Sequence, residues 1–397
     1  MKLDSIKIKL NNLHYILLFL IIFICLFFRA YESLSFFRFT HYLFNYEYEF
    51  LKRGLIGEIL RLSFENINYK LVQLISLIFI IVLSIIIFKI FVKNFNKKSN
   101  ISRLIFSVMI FTSPLTIQHF IYDIGRFDII NLIITFLCFF IIEKFYKNSL
   151  LIFFTTGILI SLMLLIHEGA LIMFVPMIFG YWFFKNSEKH TIITQIILFI
   201  IILFLAFKIS LTGLATRFTL DEYYTLFSKQ NADVSKWSIQ VLYRGLFNVL
   251  DDGVINPLFK DAAVIGLTKT WIFHNFVLMF FLLPVFYVTF VIFKNFLSKS
   301  KFQTKVLLIS SLSPFALFFL GPDHMRWWSL IFTNIFIIFF ILSKETDSYS
   351  EIIIKSVIKY KSLCIISIIE GFILGPVRVY ESFDIIVNIF GFSAFPY

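Results

Sequence analysis

Four short stretches of this chain gather side chains that could bind an anion and move a proton. DHMRWW (323–328) holds Asp323, His324 and Arg326, and YDIGRFD (122–128) holds Asp123, Arg126 and Asp128. IHEG (166–169) sets His167 beside Glu168, and NYEYEFLKRGLIGE (45–58) carries Glu47 and Glu49 ahead of Arg53. A guanidinium forks onto a carboxylate or a phosphate through two parallel N–H bonds. A carboxylate beside it can take a proton from a hydroxyl as a bond to phosphate breaks. Arg53, Arg126, His167, His324, Arg326 and Arg378 (from GPVRVYESFD, 375–384) are therefore candidates for holding a phosphate. Glu47, Glu49, Asp123, Glu168 and Asp323 are candidates for the base. Each stretch also has a plainer reading. Glu47 and Glu49 could complement the N-terminus of a following helix, Asp123 and Asp128 could simply hold Arg126, and HEG could cap a turn. Trp327 and Trp328 fit the aromatic belt at a membrane surface.

The elements that must position these groups are apolar helices. The chain is 59% hydrophobic, with only 15% charged residues among 397, where a soluble domain carries about 25% charged residues. Apolar runs recur near the ~20 residues that cross a bilayer, so the sequence predicts an all-α, polytopic integral membrane protein in one membrane domain, 1–397. Spans are expected near 13–28, 72–92, 104–118, 128–143, 149–166, 169–185, 191–208, 271–293, 305–320, 325–343 and 361–375, about 11 in all. The basic residues before the first run, with no small-residue cleavage site after it, indicate an uncleaved first helix. Cys25, Cys138 and Cys364 stand singly in apolar runs, which excludes a thiolate site of CxxC type.

Charge then orients the helices. The N-terminus, Lys89 and the joints 93–103, 143–148, 185–190, 294–305 and 343–361 hold 20 Lys/Arg against 6 Asp/Glu. All other positions hold 16 against 18. Basic joints stay in the cytoplasm, so the N-terminus is expected there, in a bacterial inner membrane, and the four stretches on the outer side. The net charge of +12 is read as topology and attraction to anionic membrane lipids, not as a nucleic acid footprint. The outer side includes a first segment, 29–70, and a large loop, 209–270. In the first, Leu51, Leu55, Ile59 and Leu62 fall on one face of an amphipathic interfacial helix. In the second, Asp221, Glu222, Asp251 and Asp252 read as solvated. No GxGxxG or GxxxxGK[ST] loop is present, so no nucleotide donor is expected. No cofactor is expected either. HE and DH are adjacent pairs, not the i, i+4 pair of HExxH, and give weak support for a divalent metal.

RGLIGE, GRFD, HEG and DHMRW, on this architecture, resemble motifs of polytopic enzymes of bacterial surface-polysaccharide assembly. These are the GT-C-type glycosyltransferases that use lipid-linked sugars and the O-antigen or exopolysaccharide polymerases. The resemblance implies a GT-C-like arrangement with interfacial helices on the outer face. It also implies a polyprenyl-(di)phosphate-linked sugar donor and a glycan or lipid-linked acceptor. It implies an acidic residue in the first outer loop, for which Glu32, Glu47 and Glu49 are available, and functional arginines in the large loop, for which Arg217 and Arg244 are available. The first loop has no adjacent Asp-Asp or Asp-Glu pair. Two other classes compete. A flippase or transporter would use polar groups near mid-membrane, where Glu370 is the exception among charges that otherwise sit at helix ends. A sugar acyltransferase would use His167 as base.

Overall fold

The computed structural model describes residues 12–95, 101–229, 233–243, 262–319, 323–378 and 382–383. Within them, all regular structure is helical. The chain is built from α1 (Asn12–Ala30), α2 (Phe36–His41), α3 (Leu55–Ser63), α4 (Tyr69–Phe95), α5 (Ile101–Thr112), α6 (Ile117–Tyr122), α7 (Phe127–Phe145), α8 (Ser149–Ile166), α9 (Ala170–Met173) and α10 (Val175–Lys185). It continues through α11 (Lys189–Thr212), α12 (Leu220–Ser228), α13 (Lys236–Gln240), α14 (Ala262–Phe281), α15 (Leu283–Lys299), α16 (Phe302–Ser310), α17 (His324–Glu345), α18 (Asp347–Lys359) and α19 (Lys361–Leu374). Arg244, Asp251 and Asp252 lie outside the described residues.

Among the described residues, six helical runs are long and apolar enough to cross a membrane, seven if the bent pair α14–α15 counts as one. That marks a multi-pass membrane protein. Burial ranks them: 94% of the apolar window of α17 is enclosed by protein, against 28% for α4 and for α11. α17 is thus the hub, and the outward faces of α4 and α11 carry the exposed Ile and Phe that suit lipid.

Four of the expected continuous spans are broken, each at a proline, among them the run 305–320, whose α-helix stops at Ser310 before a 3-10 turn that contains Pro314. The run 104–118 stops at Thr112 and resumes at Ile117, across Pro114. The run 169–185 is interrupted at Phe174, with Pro176 opening α10. The run 271–293 bends by 76° at Leu282, with Pro284 in the first turn of α15. Proline lacks the N–H that the helix ladder needs, and its ring clashes with the preceding turn.

At one end of the bundle the first loop segment and the large loop build a second, smaller core. Leu34, Phe39, Tyr42, Phe44 and Leu51 from the first pack with Tyr223, Ile239 and Leu242 from the second. The helix expected across 51–62 begins only at Leu55, because Leu51 closes a turn by accepting a hydrogen bond from the Gly54 N–H at 3.1 Å. Its protein-facing residues are Gly57 and Leu60, while Ile59 and Leu62 are exposed. Gly57 is required by contact: a Cβ there would lie 2.0 Å from the Phe44 carbonyl oxygen. Gly57→Ala is therefore expected to destabilise the protein by about 1–3 kcal/mol, read as a lower melting temperature in detergent. Ile59→Ala should stay within about 0.5 kcal/mol of wild type.

Candidate functional site

The KRG turn places the first cation. The Lys52 N–H donates to the Gly213 carbonyl at 2.8 Å, tying the turn to the end of α11. Arg53 then adopts φ +62°, the only non-glycine residue with positive φ among those described. Such backbone strain persists where the surroundings over-determine it. Here its side chain forks onto Glu168, with Nε 2.9 and 3.1 Å from the two carboxylate oxygens and Nη2 at 2.6 Å. Gly54 and Gly57 follow because Tyr46 and Phe44 press against the backbone, and Glu58 closes the motif by accepting from the Tyr46 N–H and from Arg61. RGLIGE is thus a scaffold for Arg53.

HEG forms the break between α8 and α9. His167 is extended, and the Gly169 N–H donates to its Nδ1 at 2.9 Å, which places the neutral ring's proton on Nε2. A Cβ on residue 169 would come within 2.9 Å of the imidazole, so glycine keeps the ring in place.

Asp123 ends α6, with its N–H donating to the His119 carbonyl. Arg126 Nε reaches both of its oxygens at 3.1 and 3.2 Å, and Arg38 Nη1 lies 3.5 Å away. Arg38 also donates to the carbonyls of Tyr122 and Ile124, each at 2.9 Å, and so staples the turn in which Gly125 takes φ +91°. One turn further, Asp128 receives a fork from Arg326, at 2.6 Å from Nε and 2.9 Å from Nη2. Arg326 Nη1 holds Asp323 at 2.7 Å. Arg326 and Asp128 are 5% and 2% exposed, and they join α7 to the hub helix.

These groups form one electrostatic cluster. The fields of Arg53, Arg126 and His167 all reach His41, and those of Asp123, Arg326 and Asp128 reach His119. Burial, then Arg53, drives His167 down to about 3. Burial opposes the charge of Glu168, but Arg53 above all, then His167 and Lys52, holds its carboxyl well below the usual range. Burial likewise opposes Asp123, and Arg126 and Arg38 outweigh it. His41 is also held well below its ordinary value, first by burial and then by Arg53 and Arg126. Its Nδ1–H donates to the Phe37 carbonyl at 2.9 Å, and its buried Nε2 has no hydrogen-bond partner among the described residues. A buried acceptor in that state suits a hydroxyl or a water.

Asp123, Arg126, His167, Glu168, Asp323, Arg326 and Arg53 are thus brought together. The remaining candidates are not. Glu49 is a clamp for the large loop. Its carboxylate accepts from Tyr223 Oη at 2.6 Å, Thr216 Oγ1 at 2.9 Å and the N–H groups of Thr216 and Arg217. Burial works against its charge, but the Tyr223 and Thr216 bonds outweigh it and keep the carboxyl below its ordinary range. Glu47 is exposed beyond the cluster. His324 opens α17 with its ring packed on Phe318 and Trp327. Arg378 lies over the Tyr122 ring, 6.0 Å from its centroid, at the cluster's edge. Arg217 spans from its guanidinium to the Tyr48 carbonyl at 2.8 Å. Sequence reasoning missed Arg38 and His41, although they are the two basic side chains in the aromatic-rich run FFRFTHYLF. Glu32, at the rim, is 3.8 Å from Arg38 with its side chain 47% exposed. Comparison with protein-family models, curated proteins and solved structures gives no match for this chain.

Two tests follow from this geometry. Removing one partner of the Arg326–Asp128 fork leaves the other charge buried, so Arg326→Ala or Asp128→Ala is expected to cost about 3–5 kcal/mol, read as a loss of folded protein. The second concerns pH. In the unfolded chain His167 takes a proton near 6.5, but folded it stays neutral until about 3. Stability from this group is full above pH 6.5 and is lost on acidification, by up to ~1.4 kcal/mol per pH unit. Glu168 and Asp123, both depressed, act in the same direction as pH falls toward their folded values. His167→Gln should flatten the fall in melting temperature between pH 6.5 and about 5; an unchanged slope would contradict the assignment.

Proposed function

We propose that the arginine–carboxylate cluster is the extracytoplasmic site of a membrane glycosyltransferase or polysaccharide polymerase. The chain would have about 11 spans in a GT-C-like arrangement, with its N-terminus in the cytoplasm of a bacterial inner membrane. One observation carries the reading. Arg38, Arg53, Arg126 and Arg326, from four separate segments, converge at the helix breaks of one end of the bundle. That end is the acidic one, outside by the distribution of basic residues.

In this reading the arginines receive the phosphate or diphosphate of a polyprenyl-linked donor. The sugar–phosphate bond breaks as the acceptor hydroxyl attacks the sugar. The electron pair leaves with the phosphate, whose growing charge the guanidiniums stabilise. The hydroxyl proton goes to a carboxylate. A carboxyl already engaged by one or two guanidiniums is a poor proton acceptor, so Asp123, Asp128 and Glu168 serve to hold the arginines. Glu32, in the first loop, is the base: its half-exposed carboxylate stands 3.8 Å from Arg38, beyond hydrogen-bond distance. His41 Nε2 accepts a hydrogen bond from the acceptor sugar.

Glu32→Gln and Arg126→Ala are each expected to lower conversion of the lipid-linked glycan by at least about 100-fold, measured in native membranes with the amount of folded protein unchanged. Wild-type conversion in both would sink the proposal. A second reading, flipping of the lipid-linked substrate, is favoured by the 76° break at Leu282 within an apolar run. Deleting the gene separates the two: unconverted substrate gathers on the outer leaflet for a transferase and on the inner leaflet for a flippase.

A further inference from the structure

At the end of α17 opposite Asp323, the helices α15 and α18 run side by side. Tyr287 meets Tyr360 at one end of the pair, ring centroids 5.3 Å apart, and Phe296 meets Tyr349 toward the other at 5.7 Å. Between them lies a groove of about 550 Å³. Lys294 and Lys299 line it from α15, and Lys355 and Lys359 from α18. The spacing explains the convergence. Glu351, Lys355 and Lys359 recur every four residues, so they share one face of α18. Four lysines face one glutamate, Glu351, which is bonded to Lys355 at 2.9 Å. Lys294 and Lys299 make no ion pair among the described residues. The Asn295 amide, bonded to Ser356 Oγ at 3.3 Å, adds polar atoms to the floor.

A lysine-rich membrane surface needs no ligand to explain it, since basic joints set topology. A groove that draws lysines from two helices far apart in sequence is a more specific arrangement. Its walls are mixed. Phe290 and Val291 line it beside the lysines, and Phe290 is 62% exposed on a helix of the bundle's apolar layer. The groove therefore offers cationic donors next to a side open to acyl chains.

We propose that this groove binds the phosphate headgroup of an anionic membrane phospholipid, with the lysines around the phosphate and an acyl chain along Phe290 and Val291. Headgroup recognition by basic pockets between membrane helices follows from charge, because each lysine near an anionic surface adds to the attraction. The groove is distinct from the arginine cluster, and its occupancy does not depend on the sugar-transfer reading.

The test uses the full-length protein in nanodiscs of phosphatidylglycerol and phosphatidylcholine, with retained lipid counted by native mass spectrometry after release into detergent. Wild type is expected to keep phosphatidylglycerol in preference to phosphatidylcholine. The variant K294Q/K299Q/K355Q/K359Q should lose that preference by at least about tenfold. Its melting temperature in phosphatidylcholine should match wild type, which separates lost binding from lost fold. As a check that needs no variant, phosphatidylglycerol should raise the wild-type melting temperature, and millimolar inorganic phosphate should neither reproduce nor displace that effect. Equal retention of the two lipids by wild type overturns the proposal. So does displacement by inorganic phosphate, which would make the groove a site for a soluble anion.

Discussion

Arg326 and Asp128 sit almost out of contact with solvent, one on the hub helix α17 and one at the first turn of α7. Two charges in that position are tolerable only if each satisfies the other through good geometry, because burial removes the hydration that would otherwise stabilise them. The two-bond fork does this, and Asp323 takes the remaining donor side of the guanidinium. Much of the rest depends on that contact. It fixes where α7 enters the bundle, and hence where the turn holding Asp123, Gly125 and Arg126 can lie. It also sets the start of α17, against which the aromatic group around Trp327 and Trp328 is arranged.

The same logic recurs with less burial at Arg53 and Glu168. There the anchoring is done by backbone: a left-handed residue, a neighbouring glycine and a hydrogen bond to Gly213. Local strain and close packing are combined at one turn, while its partner carboxylate comes from a break between two apolar helices. Such breaks are where this chain exposes polar backbone and charged side chains without burying them in the apolar layer. The prolines at 114, 176, 284 and 314 supply four further interruptions of the apolar runs. The bundle is thereby made of broken segments whose ends are available for side-chain chemistry.

The two ends of the bundle are chemically unlike. One gathers arginines balanced by carboxylates in a semi-enclosed cluster capped by a small aromatic core. The other gathers lysines in an open groove, together with the group Lys185, Glu143 and Glu345. Arginine suits the first because its planar fork meets carboxylate and phosphate oxygens in pairs. Lysine suits the second because a flexible, well-hydrated point charge can follow a headgroup at a water–lipid boundary.

Composition and run length by themselves determined that the chain is a multi-pass helical membrane protein, because the bilayer admits few ways to satisfy a backbone in apolar surroundings. The short polar joints were legible for the same reason: an ionisable residue beside an apolar run stands out, and Asp123, Arg126, His167, Glu168, Asp323 and Arg326 were all found that way. Tertiary structure alone decided how they pair. Asp128 could have held Arg126 next door in sequence, yet it holds Arg326, 198 residues away, because α7 and α17 meet there. It also reassigned Glu49 from the cluster to the large loop. It added Arg38 and His41, whose surroundings in sequence are merely aromatic. Pairing depends on which helix ends come together, and that is set by packing among faces that are almost uniformly apolar, a choice that no local pattern of residue types encodes.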